Sequence, residues 1–187
     1  MEDIQKAGNE WRYGKIQGLK KIVSRMIFGT AIGPMIEGKN TDELLDAALA
    51  KGINTFDTAR GYGRAEESLG GWMKRRDNRE QVVVISKCGN CDSDGSVCVN
   101  RKVIETELVE SLQALQTDYI DIYLLHRDDS KTPVGELIDT LNKLQKLKYL
   151  AYQTGHMRES KKQIVMQKNI SFRDSLFPVP ILDWQSR

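Results

Sequence analysis

Apolar positions along this chain recur in two alternating rhythms. Residues 82–87, Val-Val-Val-Ile-Ser-Lys, form a β-branched run suited to a parallel strand covered on both faces rather than to a half-exposed one, whose apolar residues would alternate. Residues 119–125 and the shorter runs 24–29 and 53–57 read as further strands. Between them the spacing changes to three and four. Leu44, Leu45, Ala48 and Leu49 make the stripe of a helix that Asn40 is placed to cap, with Glu43 three residues on. Gly52 is placed to end that helix. A short helix is expected over 65–74 and a longer one over 103–115, with Ile104, Leu108, Ser111, Leu112 and Leu115 on one side. Another is expected from Pro133 to about Leu147. Ahead of the first strand, Tyr13-Gly14-Lys15 and Gln17-Gly18-Leu19 are punctuated as a hairpin would be.

Four strands alternating with four helices imply a parallel α/β fold, either a doubly wound sheet or part of a (β/α)8 barrel. Composition narrows the setting. With 187 residues, 40% hydrophobic and 29% charged, and a formal net charge of +2, the chain has no field that would draw it to nucleic acid or a membrane. Lys74-Arg75-Arg76 reads as a solvated helix end. No apolar stretch approaches the ~18 residues of a membrane span, and residues 1–6 lack the apolar core of a signal peptide. Three cysteines, an odd number, suit a reducing compartment, so a cytoplasmic location is expected. Cys88, Cys91 and Cys98 fall around the polar loop 89–100, where exposed thiols are expected. Cys-x-x-Cys can bind zinc, but a closed site needs four ligands, and no metal is expected.

Polar residues stand at the ends of three strands: Asp57, Lys87 and His126. Each has a plain explanation alone, as a turn cap, a surface lysine and a hydrogen-bonded core histidine. In a barrel, however, strand ends converge on one face, and a buried ammonium there needs a partner, which Asp57 can supply. The surrounding residues carry a resemblance. Phe56-Asp57-Thr58-Ala59-Arg60-Gly61-Tyr62-Gly63 resembles the Asp-Thr-Ala-x-x-Tyr-Gly motif of the aldo-keto reductases. Ile85-Ser86-Lys87 resembles their lysine strand, residues 118–126 their Asp-Tyr-Ile-Asp-Leu-Tyr-Leu-Leu-His signature, and Phe28-Gly29-Thr30 the turn after their first barrel strand. The likeness runs from about Tyr13 to Lys146.

The resemblance implies a partial (β/α)8 barrel of about four βα units. It also implies an oxidoreductase that interconverts an aldehyde or ketone and an alcohol with NADPH. Tyr62 would be the proton donor, Lys87 would stabilise its phenolate, Asp57 would hold Lys87, and His126 would orient the small carbonyl substrate. Gly29, Thr30 and Asp57 would contact the cofactor, whose phosphates the family holds with later βα units not expected in this chain. A Schiff-base aldolase using Lys87 as nucleophile is the rival enzyme on the same fold.

Past about Gln145 the likeness fades. The family would continue with a Gly-Lys-Ile turn and a fifth strand ending in Ser-Asn. Codons compatible with Leu150 onward, read one frame over, can encode Gly-Ile-Ser-Asn-Trp. Residues 1–148 are therefore expected to be the first half of a truncated barrel. Residues 149–187 are expected to be an out-of-frame tail, irregular or loosely attached from about Tyr149. The competing expectation for function is an inactive partial product that binds no cofactor, associating with itself through its open barrel edge.

Overall fold

The computed structural model describes residues 12–90, 99–127, 131–146, 150–154, 156–159 and 162–165. Its first elements are two antiparallel strands, β1 (Tyr13–Lys15) and β2 (Ile22–Ser24), with Gly14 opposite Val23. Gly18, at φ 88°, supplies the left-handed residue of the turn between them. There follow β3 (Ile27–Gly29), a single helical turn α1 (Gly33–Ile36), α2 (Asp42–Ala50), β4 (Thr55–Asp57), α3 (Ala65–Arg76) and a 3-10 turn at Arg79–Gln81. Then come β5 (Val83–Cys88), α4 (Arg101–Leu115), β6 (Ile120–Leu125), α5 (Val134–Lys146) and β7 (Leu150–Thr154). A short antiparallel pair, β8 (His156–Glu159) and β9 (Lys162–Val165), follows.

Strands β3 to β7 form one parallel sheet in chain order. A doubly wound sheet would reverse direction at a switch point. Here each new strand is added on the same side, as in the staves of a barrel, so four βα units are followed by a fifth strand. One sheet face packs Phe56, Val82, Val84, Tyr123 and Leu125 against the helices through Leu69, Trp72, Ile104, Leu108, Leu115 and Leu141. The other face holds Val83, Ile85 and Ile122, closed by Val23 with Ile16 and Leu19 of the β1–β2 hairpin. Helices α3 and α4 approach closely at Gly70, where a Cβ would sit 2.5 Å from the Ala114 carbonyl oxygen.

The hairpin plugs the amino ends of the strands. Asp121 is 1% exposed and binds Arg79 at 2.8 Å, Lys21 of the hairpin at 3.1 Å and the Val84 N–H at 2.9 Å. Lys21 also donates to the Val82 carbonyl and to the Tyr119 hydroxyl. Burial pulls the Lys21 ammonium below its ordinary range, and Asp121 opposes this. A buried carboxylate with two cations and an amide donor thus locks the hairpin to β5 and β6.

Several local expectations are corrected. The run 24–29 is not one strand: Ser24 ends β2, and the chain bends at Arg25 and Met26 before β3. The Ser24 hydroxyl donates to the Met26 carbonyl, while Asn54 and Thr55 side chains take the Ser24 N–H. The cap residue of α2 is Thr41, one later than expected; Asn40 instead accepts the Asp42 N–H at 2.9 Å, an Asx-type turn into the helix. Leu44, expected on the buried stripe, is exposed, whereas Leu45 and Ala48 are buried. Gly52 follows α2 at φ 87° and donates to Leu49, as a helix-ending glycine should. The remaining helices agree within two residues, and Asn100 caps α4 by accepting the Val103 N–H. The irregular chain expected from Tyr149 does not hold for Leu150–Thr154. That segment is a parallel strand in register with β6, with Ile122 opposite Tyr152 and Leu124 opposite Thr154. Residues 166–187 of the expected tail lie outside the described residues. Among the described residues no helix is long and apolar enough to cross a membrane.

Candidate active site

The carboxyl ends of the parallel strands carry the candidate residues, and backbone pairing continues past β3, β4 and β6 to hold them. Thr30 donates its N–H to the Asp57 carbonyl at 2.9 Å, Thr58 to Ile85 at 2.8 Å, Arg60 to Lys87 at 3.0 Å, and His126 to Cys88 at 2.7 Å. Residues that would otherwise begin loose loops are therefore fixed by backbone pairing. Side chains alternate along a strand, so Lys87 shares the inward face of β5 with Val83 and Ile85.

There the four candidate catalytic residues come together. The Lys87 ammonium meets the Asp57 carboxylate at 2.7 Å. It donates to the Thr58 carbonyl at 3.0 Å and to the Tyr62 hydroxyl at 3.2 Å. Three N–H donors find three partners, the arrangement of a charged amine. The Lys87 side chain is 15% exposed and that of Asp57 is 29% exposed, so the pair borders solvent without being immersed in it. His126 stands edge-on to Tyr62, with ring centroids 5.5 Å apart and planes at 85°. Burial, then the positive charges of Lys87 and Arg127, push the His126 imidazole below its ordinary range, and Asp57 opposes them. The ring is therefore neutral near pH 7. Its Nδ1 is buried without a hydrogen-bond partner among the described residues.

The expected cofactor contacts lie on the adjoining strand. Gly29 pairs with Asp57 in the sheet register, and a Cβ built on it meets nothing within 4 Å, so open space lies above this strand end. The Thr30 hydroxyl is buried and unpartnered among the described residues.

Cys88 departs from its expected exposed position. It is the last residue of β5, fully buried against the helix layer, and burial pushes its thiol up to about 12. Such a thiol is protonated at neutral pH and a poor nucleophile. Cys91 and Cys98 lie outside the described residues. Among the described residues no group of three His, Cys, Asp or Glu side chains gathers as a metal site would require. A concavity lined by Arg79, Leu108, Leu112, Thr117 and Tyr119 lies at the amino ends of the strands, away from the tetrad.

Sequence reasoning missed several groups around the site. The Thr58 carbonyl is the third acceptor for Lys87, and a backbone atom leaves no sequence signal. Arg127 donates to Asn90 at 3.2 Å, and Asn90 lies in close contact with the Gly61 position, bridging the loops after β4, β5 and β6. Arg60 lies within the Asp57–Gly63 motif and Glu66 within the expected short helix, and neither position signals that Glu66 is buried.

The description of the Aldo/keto reductase family matches residues 25–158. The chain belongs to that family. It is 37% identical over 112 residues to norsolorinic acid reductase B of Dothistroma septosporum, covering 54% of this chain and 28% of that protein. It is 36% identical over 130 residues to the aldo-keto reductase YhdN of Bacillus subtilis, covering 65% of this chain and 39% of the other. The fold resembles the glycerol dehydrogenase AKR11B4 from Gluconobacter oxydans with a TM-score of 0.68 at 27% identity, covering 81% of this chain and 50% of that structure. The chain thus spans half or less of the length of each of these relatives. The family match continues through β7, beyond the boundary expected at residue 148.

Proposed function

We propose that this chain carries the acid–base centre of an NADPH-dependent carbonyl reductase, interconverting an aldehyde or ketone and its alcohol. The supporting observation is the Tyr62–Lys87–Asp57 relay, with 3.2 Å from Lys87 to the tyrosine oxygen and 2.7 Å to the carboxylate. The residues fit a nicotinamide ring: open space above Gly29, the unpaired Thr30 hydroxyl and the inward Asp57 carboxylate would hold it beside the tetrad. NADPH, when bound, supplies the hydride.

The chain's own groups handle the proton. Tyr62 would donate its hydroxyl proton to the carbonyl oxygen as negative charge develops there. Lys87 would stabilise the resulting phenolate, and Asp57 keeps the ammonium charged and aimed. Neutral His126 would donate a hydrogen bond to the same carbonyl oxygen and orient it. In the oxidative direction Tyr62 would take the proton back. The aldolase reading is disfavoured by the three acceptors on Lys87, since a Schiff-base lysine must present a free amine.

A cytoplasmic location and a small-molecule carbonyl substrate, with neither nucleic acid nor membrane, belong to the same proposal. So does self-association along β3, one edge strand of the five-stranded sheet, where Ile27 is exposed just after the exposed Met26. The experiment is a fluorescence titration of the protein with NADPH and NADH, followed by cofactor oxidation across a panel of aldehydes and ketones. Saturable NADPH binding with carbonyl-dependent oxidation would support this reading. Absence of both would favour the inactive partial product, and borohydride trapping of a carbonyl compound on Lys87 would favour the aldolase.

A further inference from the structure

Behind Lys87, on the helix side of the sheet, lies an ionic cluster built around one buried carboxylate that the acid–base chemistry does not use. Glu66, in the first turn of α3, is 1% exposed. It accepts a hydrogen bond of 2.6 Å from the hydroxyl of Ser86, the residue just before Lys87. Burial pushes the Glu66 carboxyl up, while the Ser86 hydrogen bond and the Arg60 charge hold it down. Arg60 lies 3.8 Å from Glu66 and binds Glu110 of α4 at 2.8 Å. Its own N–H donates to the Lys87 carbonyl at 3.0 Å. On the far side of Lys87, Glu107 of α4 accepts the Gly89 N–H at 2.9 Å. The Glu107 charge also pushes the Glu66 carboxyl up, and the Ser111 hydroxyl of α4 helps to hold it down.

The cluster therefore grips β5 immediately before and shortly after Lys87, and grips the loop between Asp57 and Tyr62 through Arg60. A one-residue twist of the end of β5 would carry Ser86 inward and Lys87 outward. The Ser86–Glu66 bond opposes that twist. Arg60 joins the tyrosine loop to the lysine strand two residues before Tyr62. We infer that Glu66 is a positioning residue, which through Ser86 and Arg60 holds the Lys87 ammonium against Asp57 and Tyr62.

This inference deepens the reductase reading and rests on it only for its catalytic consequence. Its first test needs no turnover. The 187-residue chain is reductively methylated with formaldehyde and cyanoborohydride, and the rate at Lys87 is followed by mass spectrometry beside melting curves. Glu66→Ala and the milder Ser86→Ala should each raise the Lys87 labelling rate several-fold. Glu66→Gln keeps an acceptor for Ser86 and should restore most of the protection. Glu67→Gln, on the neighbouring exposed position, should have no effect. Leu108→Ala, a core change on α4, should lower the melting temperature without exposing Lys87. Wild-type labelling in both Glu66→Ala and Ser86→Ala would overturn the inference. So would an equal rise in Leu108→Ala, because the cluster would then be merely structural. In carbonyl turnover, Glu66→Ala should lower kcat by roughly 10- to 100-fold with little change in KM, the effect of a misplaced catalytic group, and Glu66→Gln should recover most of it. Protection of Lys87 that depends on Glu66 in a protein without reductase activity would remove the reductase reading and leave the positioning role standing.

Discussion

Lys87→Met removes one charge and keeps most of the side-chain bulk, so it isolates the electrostatic part of the proposed site. In the native arrangement the ammonium lies 3.2 Å from the Tyr62 oxygen. At an effective dielectric of about 20, a unit charge at that distance stabilises a phenolate by roughly 5 kcal/mol. Asp57 binds the same ammonium at 2.7 Å and cancels part of this field, leaving on the order of 3 kcal/mol, or about a hundredfold in rate. Packing should suffer little, because Asp57 is 29% exposed and can turn its carboxylate to water. The assay is steady-state carbonyl reduction at saturating cofactor, with cofactor affinity measured separately. The expected result is a kcat lowered by about two orders of magnitude with cofactor affinity nearly unchanged. Retention of most of the wild-type kcat would refute the idea that Lys87 acts by charge. Loss of cofactor affinity alone would assign Lys87 to binding instead.

Two further outcomes follow from the buried charges. Asp121→Ala should destabilise the fold by about 3–5 kcal/mol in urea unfolding, since it strands Lys21 and Arg79 beside the sheet; a loss under about 1 kcal/mol would put this network on a par with a surface pair. For His126 the folded pKa is lowered from 6.5 by burial and by Lys87 and Arg127, so the unfolded chain binds its proton first as pH falls. Stability should therefore decline from near pH 6.5 toward the lower folded value, relative to His126→Gln, and parallel unfolding free energies for the two proteins across that window would contradict the assignment.

The strand ends were legible because chemistry and pattern coincide there. A β-branched run ending in Lys87 and a signature ending in His126 announce both the strand and the residue it presents. The alternation of rhythms was likewise enough for a parallel α/β fold, and the one-directional order of β3 to β7 then chose the barrel over the doubly wound sheet. Tertiary partners decided what remained illegible. The bend after Ser24 depends on Asn54 and Thr55, thirty residues away in the chain. Leu44 looks like a core residue by spacing alone, but the buried face of α2 turns slightly past it to Leu45 and Ala48. Cys88 reads as part of the polar loop, yet β5 extends through it and buries it. Glu66 resembles an ordinary first-turn acid, and only Ser86 and Arg60, brought from other elements, reveal why it is inside. Pairing with β6 makes a strand of Leu150–Thr154, a segment whose own sequence lacks the fifth-strand motif of the family.

The central claim is that Tyr62 delivers the proton, and Tyr62→Phe tests it most directly. The ring keeps its edge-on packing with His126, and only the hydroxyl that Lys87 bonds is lost. The measurement is kcat for carbonyl reduction alongside NADPH affinity by fluorescence titration. The account predicts a fall in kcat of about 10²- to 10⁴-fold, the usual contribution of a positioned general acid, with NADPH affinity unchanged. A variant that reduces carbonyls at the wild-type kcat would contradict it.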